Sequence, residues 1–420
     1  MKGSFAERKL HHETLLCYLL FLIVGFKYLL PPYLNGLAEQ VRVLDLLLTL
    51  LAMGLIVFFF IWKKSIPRPS ILMVAAVYLC LILSTLLNHG AIVKVLLHTL
   101  QVILLCMLVD AVRREPDAKK ALLRAVRDVT LVFYVANFFL MYILPDGIPS
   151  ITEGKEYPWF LYGSMNTVIK YVLPGLCCSL ILDGMRERKG IVPSVPTLIM
   201  MIGLVVSAVT VYFTATAVIA DVILLVWILG YRRFQKHAWK LYALALLVVA
   251  VFELAVVVGA KGGWLITLIS NLFRKPLDFH GRVPLWMKMT ATAAKKPLFG
   301  YGLQDFYALL DAVGNGYGSH NYYLDVFQQR GALGLFVLLC MLAVPVIRGW
   351  KQRTTEKPLY IVLGTCCAFA VILLTEPFYD VEYLFIPLFY TLFAAASRAW
   401  GLCFEQPPAA WGGNDESKTA

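Results

Sequence analysis

Two residues in one polar stretch of a largely apolar chain have side chains suited to chemistry on phosphorylated groups. Arg282 carries a guanidinium, which stays charged at any relevant pH and can grip a phosphate through two parallel hydrogen bonds. His320 carries an imidazole, which can take a proton near neutral pH. Around them run Gly281-Arg282-Val283-Pro284-Leu285-Trp286, Lys296-Pro297-Leu298-Phe299-Gly300-Tyr301-Gly302, Ser319-His320-Asn321-Tyr322 and Gly331-Ala332-Leu333-Gly334. Asn321, Tyr317 and Tyr322 are candidate contacts for a sugar, and the neighbouring Tyr301, Phe306 and Tyr323 offer further faces for stacking. Blander roles stay open for all of them. An arginine here can touch lipid headgroups, a histidine can cap a helix, and aromatics can anchor at a membrane interface. The four glycines at 300, 302, 331 and 334 are expected to make tight turns and close helix approaches.

These residues need a scaffold, and composition says what surrounds it. Hydrophobic residues make up 60% of the 420 and charged residues 15%, with mean hydropathy +0.74. So few charges cannot cover a soluble protein of this size, and the excess apolar side chains must face lipid. Runs of about 17–22 residues, each long enough to span a bilayer, fall near 14–30, 44–62, 70–87, 91–109, 128–144, 166–182, 196–212, 214–230, 241–259, 331–347, 359–375 and 383–399. The first has no cleavage site after it and reads as a retained helix. If the N-terminus is cytoplasmic, 25 of the 38 basic residues fall in inner segments, and eight of the other 13 lie between Lys261 and Arg330. That asymmetry predicts both termini inside and an extracytoplasmic loop over 260–330 between the ninth and tenth spans. A net charge of +12 sorted loop by loop argues against a nucleic-acid partner. The expectation is therefore an all-α polytopic membrane domain over 1–405, with about twelve transmembrane helices in the cytoplasmic membrane and a disordered cytoplasmic tail over 406–420. In the loop, 264–273 is expected to lie along the interface and 283–296 to form an amphipathic helix, with a turn at Asn315-Gly316-Tyr317-Gly318. Eight of the nine cysteines sit in apolar runs and Cys403 just after the last, so no disulfide or zinc framework is expected.

The order of the four loop motifs resembles the conserved half of the O-antigen ligase and polymerase superfamily, whose pattern is approximately G-R-x-x-x-W, P-L-x-G-x-G-x-x-x-F, H-N-x-x-L and G-x-x-G. The resemblance implies an inverting, metal-independent glycosyltransferase without a cofactor. Such an enzyme moves a glycan from undecaprenyl diphosphate to the hydroxyl of a glycan or lipid acceptor, in cell-surface polysaccharide synthesis. Arg282 would then hold the donor diphosphate and His320 would be the base. A diphosphate is already a good leaving group, so a base and cations can suffice. Whether the chain ligates or polymerises is left open.

The sequence departs from the family at the start of the eighth run. Members commonly carry a Ser-Arg pair there, with the arginine on the donor diphosphate; here the stretch reads Tyr212-Phe213-Thr214-Ala215-Thr216-Ala217. Lys170 and Lys94, each about one turn into a run, are the expected substitutes, because charges at such depth face a bundle interior or a wet cavity. Asp221, about two turns in, is expected to pair with His98 or one of these lysines. The alternative function is a transporter or flippase for a polar lipid or solute. It predicts pseudo-symmetric halves and polar groups at mid-bilayer, and neither is evident.

Overall fold

The structure is a computed structural model describing residues 2–34, 42–113, 115–153, 158–186, 190–210, 214–258, 267, 271, 281–314, 318–349, 355–376 and 379–398. Inside a membrane only elements that close their own backbone hydrogen bonds are stable, and the apolar runs accordingly fold as helices. These are α1 (Lys2–Leu29), α2 (Arg42–Trp62), α3 (Ile71–Leu87), α4 (Ile92–Val112), α5 (Pro116–Ile143), α6 (Met165–Arg186), α7 (Val195–Thr210), α8 (Ala215–Leu229) and α9 (Ala238–Phe252). After α9 come α10 (Arg282–Ala293), α11 (Phe306–Val313), α12 (Tyr322–Gly349), α13 (Lys357–Ile372) and α14 (Ile386–Arg398). Among the described residues the only strand-like pairing is an isolated bridge between Phe160 and Gly163. Among the described residues seven helices are long and apolar enough to cross a membrane; α3, α7, α8, α13 and α14 are shorter apolar helices. The chain is an all-α, multi-pass membrane protein.

Each expected run coincides with a helix, but three helices begin well ahead of their runs. α1 starts at Lys2, α5 at Pro116 and α12 at Tyr322. Hydropathy marks only the apolar length, whereas Pro116 at the first helical position starts α5 ahead of its apolar part. The amphipathic loop helix is α10, with Pro284 in its first turn. The expected interfacial segment 264–273, apart from 267 and 271, lies outside the described residues, as do Asn315–Tyr317 and the tail.

Two helices form the interior. In α6 the apolar window is 89% buried, against 22–39% in the other six long helices. In α13 the residues from Tyr360 to Ala370 are all buried. Lys170, near the start of α6, is therefore held inside the bundle.

One break shapes the site. At Gly331 the backbone of α12 leaves helical geometry, with φ 66° and ψ −172°, a region open essentially to glycine alone. A helix would bond the amides of Ala332 and Leu333 to the carbonyls of Gln328 and Gln329. Here those amides donate to Pro297 and Leu298 instead, at 2.7 and 3.3 Å. The freed carbonyls accept from Tyr301 (2.8 Å) and Gly302 (2.9 Å). Segment 297–302 thus slots into the break and satisfies both edges, which a buried backbone requires. A Cβ on Gly331 would lie 2.2 Å from the Leu298 carbonyl oxygen, and one on Gly300 would lie 2.5 Å from that of Gln328. The Leu303 amide then donates to Thr85 Oγ1 at 3.0 Å, tying the segment to α3. The two glycine motifs are halves of one clasp.

Candidate active site

The site grows from α10. Gly281, at φ 78°, turns the chain into the helix and makes Arg282 its first residue. Trp286 follows one turn later on the same face. It is fully buried, and its Nε1–H donates to the Ser319 carbonyl at 2.9 Å. Trp286 of α10 thereby holds the residue that precedes His320.

Segment 319–321 is itself tightly fastened. The Ser319 amide donates to Asp325 Oδ1 at 2.7 Å. Asn321 Oδ1 accepts from the Leu324 amide at 2.9 Å, and its Nδ2 donates to Glu253 Oε1 (2.6 Å) and the Leu374 carbonyl (3.2 Å). Between these anchors His320 adopts a left-handed conformation, φ 54°, which histidine tolerates better than most residues. The ring is half-buried, and Nδ1 has no hydrogen-bond partner among the described residues.

Two cations meet on one carboxylate beside it. Arg282 donates to Glu376 Oε1 at 3.2 Å, and Lys170 Nζ lies 3.6 Å from Oε2. Lys170 and Glu376 are each 4% exposed, whereas the Arg282 side chain keeps 24% of its surface open. Burial pushes the His320 pKa down from 6.5 to about 4; the Glu376 carboxylate opposes this shift, and the charges of Arg282 and Lys170 reinforce it. His320 is thus a neutral imidazole at neutral pH. The cluster suits an anionic, phosphate-bearing ligand next to a proton acceptor. Among the described residues no group of three or more His, Cys, Asp or Glu could hold a metal ion.

Not every expected residue joins this cluster. Asn321 is fully buried and its amide is spent on the anchors above, so it is corrected from sugar contact to helix cap. Tyr322 is 1% exposed and donates to Glu382 Oε1 at 2.6 Å, which likewise makes it part of the packing. Tyr317 lies outside the described residues. Lys94 lines a separate cavity of about 520 Å³ and is absent from the Glu376 cluster. The expected partner of Asp221 is also corrected: His98 lies 3.1 Å from Glu382 and Lys170 pairs with Glu376. Both Asp221 oxygens are buried without a hydrogen-bond partner among the described residues.

Glu376 is the residue that sequence reasoning missed. The available signal was a carboxylate in Thr375-Glu376-Pro377, directly after an apolar run and with no nearby basic residue to explain it. Thr216 Oγ1, at the start of α8, lies 3.4 Å from Thr375 Oγ1, beside Glu376.

Residues 196–339 match the O-antigen ligase family. Neither a curated protein nor a solved structure matches the chain. The matched stretch extends from α7 into α12 and contains Arg282, Trp286 and His320, while Lys170, on α6, and Glu376, just after α13, lie outside it.

Proposed function

We propose that the protein transfers or polymerises a glycan carried on undecaprenyl diphosphate onto an acceptor hydroxyl at the outer face of the cytoplasmic membrane. The chain crosses twelve times in this reading, with both termini cytoplasmic and 260–330 outside, as the basic asymmetry supports. The observation that carries the proposal is the convergence of Arg282 and Lys170 on Glu376 beside His320.

In the resting site Glu376 occupies the place that a phosphate oxygen would take. A diphosphate, with roughly two or more negative charges, outcompetes one carboxylate for the same two cations. Arg282 and Lys170 then steady the charge that builds on the leaving oxygen. His320 takes the proton of the acceptor hydroxyl as that oxygen attacks the anomeric carbon from the opposite side, inverting it. No metal is needed, because the cations and the base carry the step between them.

Purified protein supplied with a synthetic lipid-diphosphate glycan and an acceptor tests this directly. His320→Ala is expected to lose about 10²–10⁴-fold in turnover while still binding donor. Arg282→Lys is expected to stay impaired, because an ammonium lacks the bidentate contact, and chelators are expected to change nothing. Full activity in His320→Ala, or strict dependence on an added divalent metal, would overturn the mechanism. Movement of lipid across a bilayer with no glycosidic bond formed would instead support the transporter reading.

A further inference from the structure

The cavity that takes Lys94 is lined by Lys27, Lys94, His98, Arg330 and Glu382, together with apolar side chains such as Leu81, Leu97 and Leu303. Its chemistry is lopsided. Glu382 is already crowded: it accepts from Tyr78 (2.6 Å) and Tyr322 (2.6 Å), lies 3.1 Å from His98 Nε2, and pairs with the Arg330 guanidinium. Arg330 is 1% exposed, yet only one of its terminal nitrogens is taken up by that pair. Its Nε and the other terminal nitrogen are buried without a hydrogen-bond partner among the described residues. A buried guanidinium left short of acceptors is costly, and an oxyanion in the cavity would relieve that cost. Lys27, itself paired with Asp45, and the exposed Lys94 add positive charge to the walls. The mixture of cations and leucines fits the phosphorylated head of a lipid, whose first alkyl units would contact the leucines.

The position of the cavity relates it to His320. The half-helix Tyr322–Arg330 starts next to His320 and ends with Gln329 and Arg330 in the cavity wall. At 1.5 Å rise per residue these two ends lie about 12 Å apart. A phosphate held at Arg330 would leave a short glycan extending towards His320, and no lining residue is shared with the Arg282–Lys170–Glu376 cluster.

We propose that this cavity binds the phosphorylated head of a second membrane lipid, the acceptor, and that Arg330 and Lys94 recognise its phosphate. The assignment to the acceptor rests on the transferase reading above; the assignment of a second lipid-phosphate site does not.

The test uses the full chain in nanodiscs of neutral lipid, titrated with a short-chain polyprenyl diphosphate. The intact protein is expected to bind two equivalents, with Lys94→Gln and Arg282→Gln each weakening a different one by about ten-fold or more. Unchanged melting of Lys94→Gln serves as the folding control. A single equivalent that is indifferent to Lys94→Gln would overturn the site. In turnover, Lys94→Gln is expected to raise the acceptor KM about ten-fold and leave the donor KM within about two-fold; the reverse pattern would overturn the acceptor assignment. Displacement of the Lys94-dependent equivalent by phosphatidylglycerol, at similar concentration, would also overturn it and mark the cavity as a site for bulk anionic lipid. Displacement by inorganic pyrophosphate alone would show that the site takes free phosphate rather than a lipid head, and so overturn the proposal. Two equivalents bound with no turnover for any substrate pair would sink the transferase reading and leave the cavity site standing.

Discussion

Arg282 and Lys170, one from the first turn of α10 and one from the first turns of α6, hold opposite oxygens of Glu376 at 3.2 and 3.6 Å. Two positive charges and one negative leave the cluster with a single surplus charge. Arg282→Gln removes that surplus, because Glu376 then neutralises Lys170 completely. Adding Glu376→Gln restores it. Donor binding is therefore expected to fall about ten-fold or more in Arg282→Gln and to recover partly in the double variant. Equilibrium binding of the lipid diphosphate reads this out, and a double variant weaker than the single would show that Glu376 does not compete with the donor.

The His320 pKa sets the acid edge of activity. With the ring held at about 4 rather than 6.5, neutral imidazole persists well below neutral pH. The acid limb of kcat/KM is expected near pH 4. The limb of kcat is expected higher, since a bound diphosphate favours the imidazolium. Folding is linked to the same group: as pH falls from 6.5 to about 4, the unfolded histidine takes up a proton that the folded one refuses. Stability falls across that window, and His320→Gln is expected to flatten the fall in melting curves.

Trp286→Phe keeps the buried ring but deletes the Nε1–H donated to Ser319. The carbonyl it leaves unsatisfied costs about 1–3 kcal/mol. The greater effect is expected in catalysis, because the ring positions the segment before His320 without touching substrate. kcat should drop while the donor KM holds and the pH profile keeps its shape; an unchanged kcat would confine Trp286 to packing.

Gly331→Ala is expected to be among the most damaging small substitutions in the protein. It adds about 1–3 kcal/mol of backbone strain and places a methyl 2.2 Å from the Leu298 oxygen. Poor recovery of folded protein, with a lowered Tm, checks this. Gly54 serves as the control, because nothing lies within 4 Å of its added Cβ.

The bundle was legible in the sequence because hydropathy is a local property: a run such as Ile92–Val112 announces its helix without reference to any other part of the chain. Arg282 and His320 were legible through motif order, and Lys170 through the oddity of a charge inside an apolar run. Glu376 and Arg330 were not, because each takes its meaning from a partner far away in the chain, Arg282 for one and Glu382 for the other. Asn321 and Tyr322 were misread for a related reason. Their side chains suit sugar contact and helix packing alike, and only the position of Leu324, Glu253 and Glu382 shows which role they have.

The clasp at Gly331 has a consequence for biogenesis. Its two edges, 297–302 and 328–333, cannot join until the start of α12 has left the ribosome, and Thr85 must wait more than two hundred residues for the Leu303 amide. Glu376 is made later still. Arg282 and His320 are made 94 and 56 residues ahead of Glu376, so an emerging chain holds both before the carboxylate that gathers the cations. Release of ribosome-arrested chains of increasing length should show protease resistance of 281–303 appearing only after the 328–333 edge has emerged, with transfer activity following at the length that includes Glu376 and Glu382.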